Sequence, residues 1–259
     1  MIENGDSISP FLCGYIMSLP RIFVSTTSLQ TKQELILDAA ASQHILQARR
    51  LRAKDQLIVF NGTGGEFQAH VTAVERGLAV VFLDSFIHCD KESPLKVHLG
   101  QATSRGEKMD FTIQKAVELG VTTITPLFTT YCNVKLEAER LTNKIRHWQA
   151  VAVGAAEQSG RARVPQVFSS QSLTKWCEAP RSGLKVVFTP DAKTKLSDIK
   201  EQLQEVTILV GPEGGLSDDE VVLAVQNQFL PVSLGPRILR TETAALTAVS
   251  IIQSMWGDL

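Results

Sequence analysis

The stretch LVGPEGGLSDDE, residues 209–220, decides the fold of this chain. It opens inside Val206 to Val210, a short uninterrupted apolar run of the kind that forms a strand buried on both faces of a parallel sheet. Gly211-Pro212-Glu213-Gly214-Gly215 follows. Three glycines in so few residues let the backbone come close to a ligand and offer it amides and carbonyls, though a plain sharp turn has the same composition. Ser217-Asp218-Asp219-Glu220 then reads as a capping box, hydroxyl and carboxylate each satisfying an amide of the first turn, and it starts a helix through Gln226.

Outward from this unit the pattern repeats. Leu184 to Phe188 is a second buried strand, followed by Thr189-Pro190-Asp191. Pro231 to Leu234 is a third, followed by Gly235-Pro236-Arg237-Ile238-Leu239-Arg240 and an alanine- and leucine-rich helix from Thr243 to Trp256. In open α/β sheets ligands bind beyond the carboxyl ends of the strands, where these three segments fall. Thr241 reads as an N-cap with Glu242 in the first turn. That leaves Arg237 and Arg240 unexplained, because cations are disfavoured at a helix start.

Upstream, Leu95 to Leu99 and Val121 to Leu127 are further strands. Between them Glu107 to Leu119 is helical, with Met109, Ile113, Ala116 and Val117 on one face and Gly120 as its stop. Glu137 to Gln158 is a long helix, apolar at Leu141, Ile145, Trp148 and Ala152. Alternation of this kind predicts a mainly parallel sheet covered by helices. Before Lys91-Glu92-Ser93-Pro94 the texture is different. Ile22 to Val24, Gln56 to Phe60, Phe67 to Val74 and Leu78 to Phe82 are short strands divided by turns such as Asn61-Gly62-Thr63-Gly64-Gly65, with one helix from Ala39 to Arg50. They predict a small β-barrel.

The 259 residues allow one large domain or two smaller ones. Hydrophobic residues at 44% and charged residues at 20% fit a globular chain and exclude bulk disorder. A net charge of −1 supplies no global field for nucleic acid, so any such contact must come from local basic patches. No apolar run is long enough to span a membrane, and Phe11 to Met17 follows Glu3 and Asp6 rather than a basic segment, unlike a secretory signal. Cys13, Cys89, Cys132 and Cys177 are scattered, as are the five histidines, so no metal site or disulfide framework is expected and a reducing cytoplasm fits. No phosphate-loop lysine follows Gly215, and neither GxGxxG nor GxSxG occurs, which weighs against NTPases, dehydrogenases and serine hydrolases. Arg49, Arg50, Arg52 and Lys54 form a basic cluster, as do Arg161 with Arg163, and Arg105 with Lys108. Each is an ordinary solvated face or, together, a track for a phosphate backbone.

LVGPEGGLSDDE and SLGPRILRTETAAL (233–246) closely resemble the two signature segments of the RsmE family, bacterial ribosomal-RNA methyltransferases of the SPOUT (α/β-knot) superfamily. PRIFV (20–24), His44 to Asp55, NGTGGEF (61–67), GEKMDFTIQKAVELGV (106–121) and AAEQSGRARVPQV (155–167) extend the resemblance from about residue 19 to the C-terminus. It leaves 1–18 as an N-terminal extension and implies a PUA-like β-barrel over 19–92 and a SPOUT domain over 93–259 that threads a loop into a trefoil knot. It also implies a homodimer and S-adenosyl-L-methionine held by loops 188–190, 211–214 and 234–240. The cofactor residues would be Phe188, Thr189, Gly211, Pro212, Glu213, Gly214, Leu234, Gly235, Ile238, Leu239 and Arg240. The implied reaction is methylation of uridine N3 in 16S ribosomal RNA of the small subunit, with no metal. Methylation of another position, such as a ribose 2′-hydroxyl, and a non-catalytic assembly factor are the alternatives.

Methyl transfer to N3 needs the N3 proton removed, which makes Glu213 and Glu242 the acid–base candidates and Arg240 the cation for the developing anion. The base must be splayed from its stack, with Arg21, Arg50, Arg52, Lys108, Arg161 and Arg163 expected on the flanking backbone. Two features depart from the family pattern: the segment before residue 17, and Lys54, which stands where the family usually has glycine.

Overall fold

The computed structural model describes residues 19–89, 91–104, 106–132 and 138–259. The proposed N-terminal extension, Cys13, Arg105 and Glu137 lie outside the described residues. The described chain divides into two compact units. One comprises residues 19–61 with Gly65–His88, the other Gly62–Gly64 with Cys89–Leu259.

The first unit is a five-stranded sheet built from β1 (Arg21–Phe23), β2 (Gln33–Ile36), β3 (Gln56–Phe60), β4 (Glu66–Glu75) and β5 (Leu78–Ile87), in the order β1-β3-β4-β5-β2. β1 runs parallel to β3, and the other pairs are antiparallel. Register shifts at Gln68/Ala69 and Val71/Ala73 bend the long β4–β5 pair. Alternate residues of β1, β3, β4 and β5 enter one core, among them Ile22, Leu57, Val59, Ala69, Val71, Val81 and Leu83. A short helix α1 (Ala39–Gln43) adds Ala41 to this core, and the wider π turn His44–Ala48 that continues it adds Ile45. The pattern 39–50 gave the helix but not its change of pitch. It also missed β2, and it ended β5 at Phe82, one residue short of the buried Leu83, after which Asp84 to Ile87 are exposed on both faces. Lys54 has φ +76°, the left-handed conformation in which glycine carries no Cβ penalty, so its side chain sits in a strained turn.

The second unit contains β6 (Lys96–Ala102), α2 (Lys108–Glu118), β7 (Thr123–Phe128), α3 (Ala138–Ser159), β8 (Gln166–Val167), β9 (Gln171–Ser172), α4 (Leu173–Glu178), β10 (Leu184–Phe188), β11 (Glu205–Val210), α5 (Asp218–Gln226), β12 (Leu230–Val232) and α6 (Thr241–Trp256). The sheet order is β12-β10-β11-β6-β7-β8, with β9 also on β7, and every pairing is parallel. The apolar runs 184–188 and 206–210 occupy the middle of this sheet, which is why they lack a polar face. The capping box at Ser217 is present: Ser217 Oγ accepts from Glu220 N–H at 3.3 Å and Glu220 Oε2 accepts from Ser217 N–H at 2.9 Å. β6 runs past Leu99 to Ala102. The chain-terminal helix begins at Thr241, two residues earlier than its apolar pattern does, and Arg240 rather than Thr241 is the N-cap. β8, β9 and α4 are too short to show a period.

α4 lays Trp176 across β6 at Gly100. A Cβ at position 100 would lie 2.3 Å from Trp176 Cη2, and the indole is 1% exposed. Gly100 is therefore required for close approach, and the contact seats a cluster of Leu127, Leu173, Trp176, Val187, Leu209 and Phe229 on that face of the sheet. We expect Gly100→Ala to destabilise the chain by ~1–3 kcal/mol, the usual cost of overpacking. A smaller ring at Trp176 should relieve part of that cost. Denaturant midpoints of Gly100→Ala, Trp176→Phe and the double variant test it, and strictly additive losses would refute the contact.

Candidate active site

After β6 the chain moves toward β7, while after β11 it moves the other way, to β12. The crevice between the carboxyl ends of β6 and β11 is thus a switch point, the usual ligand position in such sheets. β12, β10 and β11 lie side by side and parallel, so the loops 188–190, 211–215 and 233–240 emerge along that same edge.

These loops are tied to one another. Thr189 N–H donates to Val232 carbonyl (3.1 Å) and Ser233 N–H to Thr194 carbonyl (2.9 Å). Gly215 N–H donates to Pro212 carbonyl (2.9 Å), closing the turn after β11 over a buried Pro212. Gly235 has φ +109°, and no atom lies within 4 Å of where its Cβ would stand. The loop needs glycine there for its conformation, and open space faces it. Phe188, Thr189, Gly211, Leu234 and Leu239 are half-buried, whereas Glu213 and Gly214 are exposed and Ile238 is 88% exposed.

Thr241 joins the two signature segments. Its hydroxyl, buried in a residue 4% exposed, donates to Gly211 carbonyl at 2.6 Å and accepts from Gln101 Nε2 at 2.9 Å. This replaces the N-cap role expected from its position. Gln101, on β6, had no signal in the sequence.

The acid candidates differ in their partners. Glu213 Oε1 accepts from Lys108 Nζ at 3.1 Å, across the crevice from the first turn of α2. Glu242 is half-buried, and its Oε2 is enclosed with no hydrogen-bond partner among the described residues. Arg237 and Arg240 are exposed, and neither guanidinium has a partner among the described residues. Lys108 and Glu213 thus meet, and the loops, Glu242 and Arg240 adjoin one edge.

Burial separates the expected RNA contacts. Arg21 pairs with Glu66 and lies over the Phe60 ring at 4.8 Å, its side chain 11% exposed. Arg161, 5% exposed, pairs with Glu92 and donates from Nη1 to the carbonyls of Val117 (2.9 Å) and Val121 (2.8 Å), holding the end of α2. Both expectations are corrected: these cations are committed inside the fold and are not presented to a phosphate backbone. Arg50, Arg52 and Arg163 are exposed.

Two cavities, of about 680 and 410 Å³, lie elsewhere. The larger is near the amino ends of the strands at His98, Arg181 and Glu205, the smaller beside α3 at Ile145 and Gln149. Burial lowers the pKa of His98, opposed by the Glu205 carboxylate beside it. Burial pushes the Cys177 thiol up to about 11, which removes it as a nucleophile at neutral pH. Among the described residues no group of His, Cys, Asp and Glu gathers to hold a metal, and no helix is long and apolar enough to cross a membrane.

Comparison with known proteins agrees with this architecture. An RNA methyltransferase domain family matches residues 91–253, and an RNA methyltransferase PUA domain family matches residues 37–84. The chain belongs to the RNA methyltransferases. It is 37% identical over 243 residues to ribosomal RNA small subunit methyltransferase E of Buchnera aphidicola subsp. Schizaphis graminum, covering 93% of this chain and 98% of that one. Among solved structures, ribosomal RNA small subunit methyltransferase E of Neisseria gonorrhoeae bound to S-adenosyl methionine superposes with a TM-score of 0.87 at 35% identity, over 93% of this chain and 99% of that one. A Legionella pneumophila protein in complex with the bound cofactor SAM gives 0.90 at 40% identity over the same shares. Within the RNA methyltransferases, the chain belongs to the ribosomal RNA small subunit methyltransferase E family.

Thr241→Val keeps the side-chain volume but removes the donor to Gly211 carbonyl and the acceptor for one N–H of Gln101 Nε2, whose other bond, to Ala102 carbonyl, remains. We expect a loss of ~1–3 kcal/mol in denaturant unfolding, the cost of stranding buried polar groups, with most of it recovered in Thr241→Ser. Equal stability of Val and Ser variants would show that the hydroxyl does not hold the segments together.

Proposed function

We propose that this protein transfers a methyl group from S-adenosyl-L-methionine to N3 of a uridine in the 16S RNA of the small ribosomal subunit. The observation that carries the reading is the gathering of loops 188–190, 211–215 and 233–240 at one sheet edge, beside a carboxylate oxygen, Glu242 Oε2, that has no hydrogen-bond partner among the described residues. The site fits the cofactor: backbone amides and carbonyls line the loops, and Gly235 leaves open space in front of one of them. Loops 188–190, 211–214 and 234–240 would hold it, which then supplies a methyl group activated by a positive sulfur.

The remaining task is to position the base and remove its proton. N3 of uracil carries a proton at neutral pH. Glu242 is the better acceptor, because its Oε2 has no competing donor whereas Glu213 is engaged by Lys108. Arg240, without a partner of its own, stabilises the charge that spreads onto the uracil oxygens as the proton leaves. Arg50, Arg52, Lys108 and Arg163 hold the flanking phosphates. The reading includes, as the resemblance of the two signature segments implies, a homodimer, a trefoil knot through the carboxyl-terminal loops and a cytoplasmic location.

Labelled cofactor, small subunits lacking the modification and nucleoside analysis test the reaction. Label in 3-methyluridine is expected; label in a 2′-O-methylated nucleoside, or none, would overturn it. Glu242→Gln should lower kcat by ~100-fold or more with KM for the cofactor nearly unchanged, general-base removal costing 10²–10⁴. Glu213→Gln should cost much less. The reverse ranking would transfer the base to Glu213. Neutralising Arg50, Arg52 and Arg163 together should flatten the salt dependence of RNA binding by about two to three in the log–log slope, at ~0.7–0.9 per phosphate contact. No change would remove them from the interface.

A further inference from the structure

Tyr131 stands at the carboxyl edge of the sheet with its ring half in solvent, 50% exposed. An exposed aromatic is usually mobile surface, but this one sits on a turn fixed at several points. Cys132 N–H donates to Thr129 carbonyl at 3.0 Å, closing the turn. Thr130 N–H donates to Glu220 Oε1 at 2.7 Å, so the same carboxylate that completes the α5 capping box also holds this turn. Cys132 Sγ reaches Thr103 carbonyl at 2.8 Å at the end of β6. The Tyr131 side chain then lies against the loop after β11: a Cβ at Gly214 would be 3.0 Å from Tyr131 Cβ and 3.6 Å from its Cγ. The phenol hydroxyl has no partner, and no other ring or cation packs on it among the described residues. The preceding residue of that loop, Glu213, holds Lys108.

We infer that Tyr131 is a stacking platform for an RNA base at the mouth of the site, a positioning residue that receives the target uridine or its neighbour once it is splayed from the helix. This rests on the reaction proposed above. A base pulled from its stack loses its neighbours' π-faces, and proteins that accept such bases supply an aromatic ring instead. A ring on an anchored turn has little freedom left to lose on binding. Its contact with Gly214 places it beside the cofactor loop rather than on the loop's path. Lys108, held by Glu213 on the same loop, would take the adjoining phosphate that a stacked nucleotide brings with it.

The experiment compares Tyr131→Phe, Tyr131→Trp, Tyr131→Leu and Tyr131→Ala for methyl transfer to small subunits, for cofactor affinity by calorimetry, and for RNA retention on filters with S-adenosylhomocysteine present. Phe and Trp should keep KM for the RNA within about two-fold. Leu and Ala should raise it roughly 5- to 100-fold, the range found when a stacking ring is truncated. Cofactor affinity and the melting midpoint should stay unchanged in all of them. Leu retains apolar area without a π-face, so a Leu variant equal to wild type would overturn the proposal. So would a loss confined to cofactor affinity, which would make Tyr131 a support for Gly214 only. If the wild-type protein transfers no methyl group, the reaction falls, but filter retention still decides the stacking contact: equal retention by the Ala and Tyr proteins would end it.

Discussion

The Thr241 hydroxyl is the joint on which this site depends. It is the point where the glycine loop after β11, the helix that closes the chain and the sheet strand β6 meet through one buried oxygen. The two signature segments are separated by α5, β12 and a loop, and nothing in the local sequence forces them together. A buried hydroxyl that both donates and accepts does so, because leaving Gly211 carbonyl or the Gln101 amide without a partner costs more than a single hydrogen bond returns. At the far end of α6, Gln253 repeats the device. It is fully buried, donates to Leu119 carbonyl and accepts from Ser93 Oγ. The helix is pinned at both ends by polar contacts and along its length by Ala245, Ala248, Val249 and Ile252. The loops at its start inherit that rigidity, and preorganised donors are what methyl transfer requires of a protein.

Much of this was legible in the sequence where one physical rule acts alone. The runs 184–188 and 206–210 are apolar without alternation because both their faces are covered, and they are strands within a residue of the expected bounds. Ser217 to Glu220 announced a helix start because the capping box is a local arrangement of its own side chains. Met109, Ile113, Ala116 and Val117 fell on the buried face of α2 as their spacing required.

What could not be read depends on long-range partners. Arg161 looks like any surface arginine until Glu92 and two carbonyls at the end of α2 enclose it, and Arg21 likewise until Glu66 and Phe60 do. A basic residue in sequence reports charge, not solvent contact. Thr241 carries both the N-cap pattern and the tertiary role, and only the tertiary one is realised, since the N-cap of α6 is Arg240 and Thr241 is already helical. β8, β9 and α4 span two to six residues, too few for periodicity, and Gly100 gives no hint that an indole from α4 needs its missing Cβ.

The two carboxylates of the site illustrate how geometry ranks what chemistry leaves equal. Glu213 and Glu242 have the same functional group, one within the loop after β11 and the other in the first turn of α6. Glu213 extends outward and meets Lys108, a contact about one-third exposed that water and salt weaken and that fixes the loop only loosely. Glu242 turns inward, and one of its oxygens loses water without gaining a donor. Stability alone would select against such an atom, since an unpaired buried acceptor is costly. Under the reaction proposed above, an N–H of the substrate base would supply the donor that this oxygen lacks among the described residues.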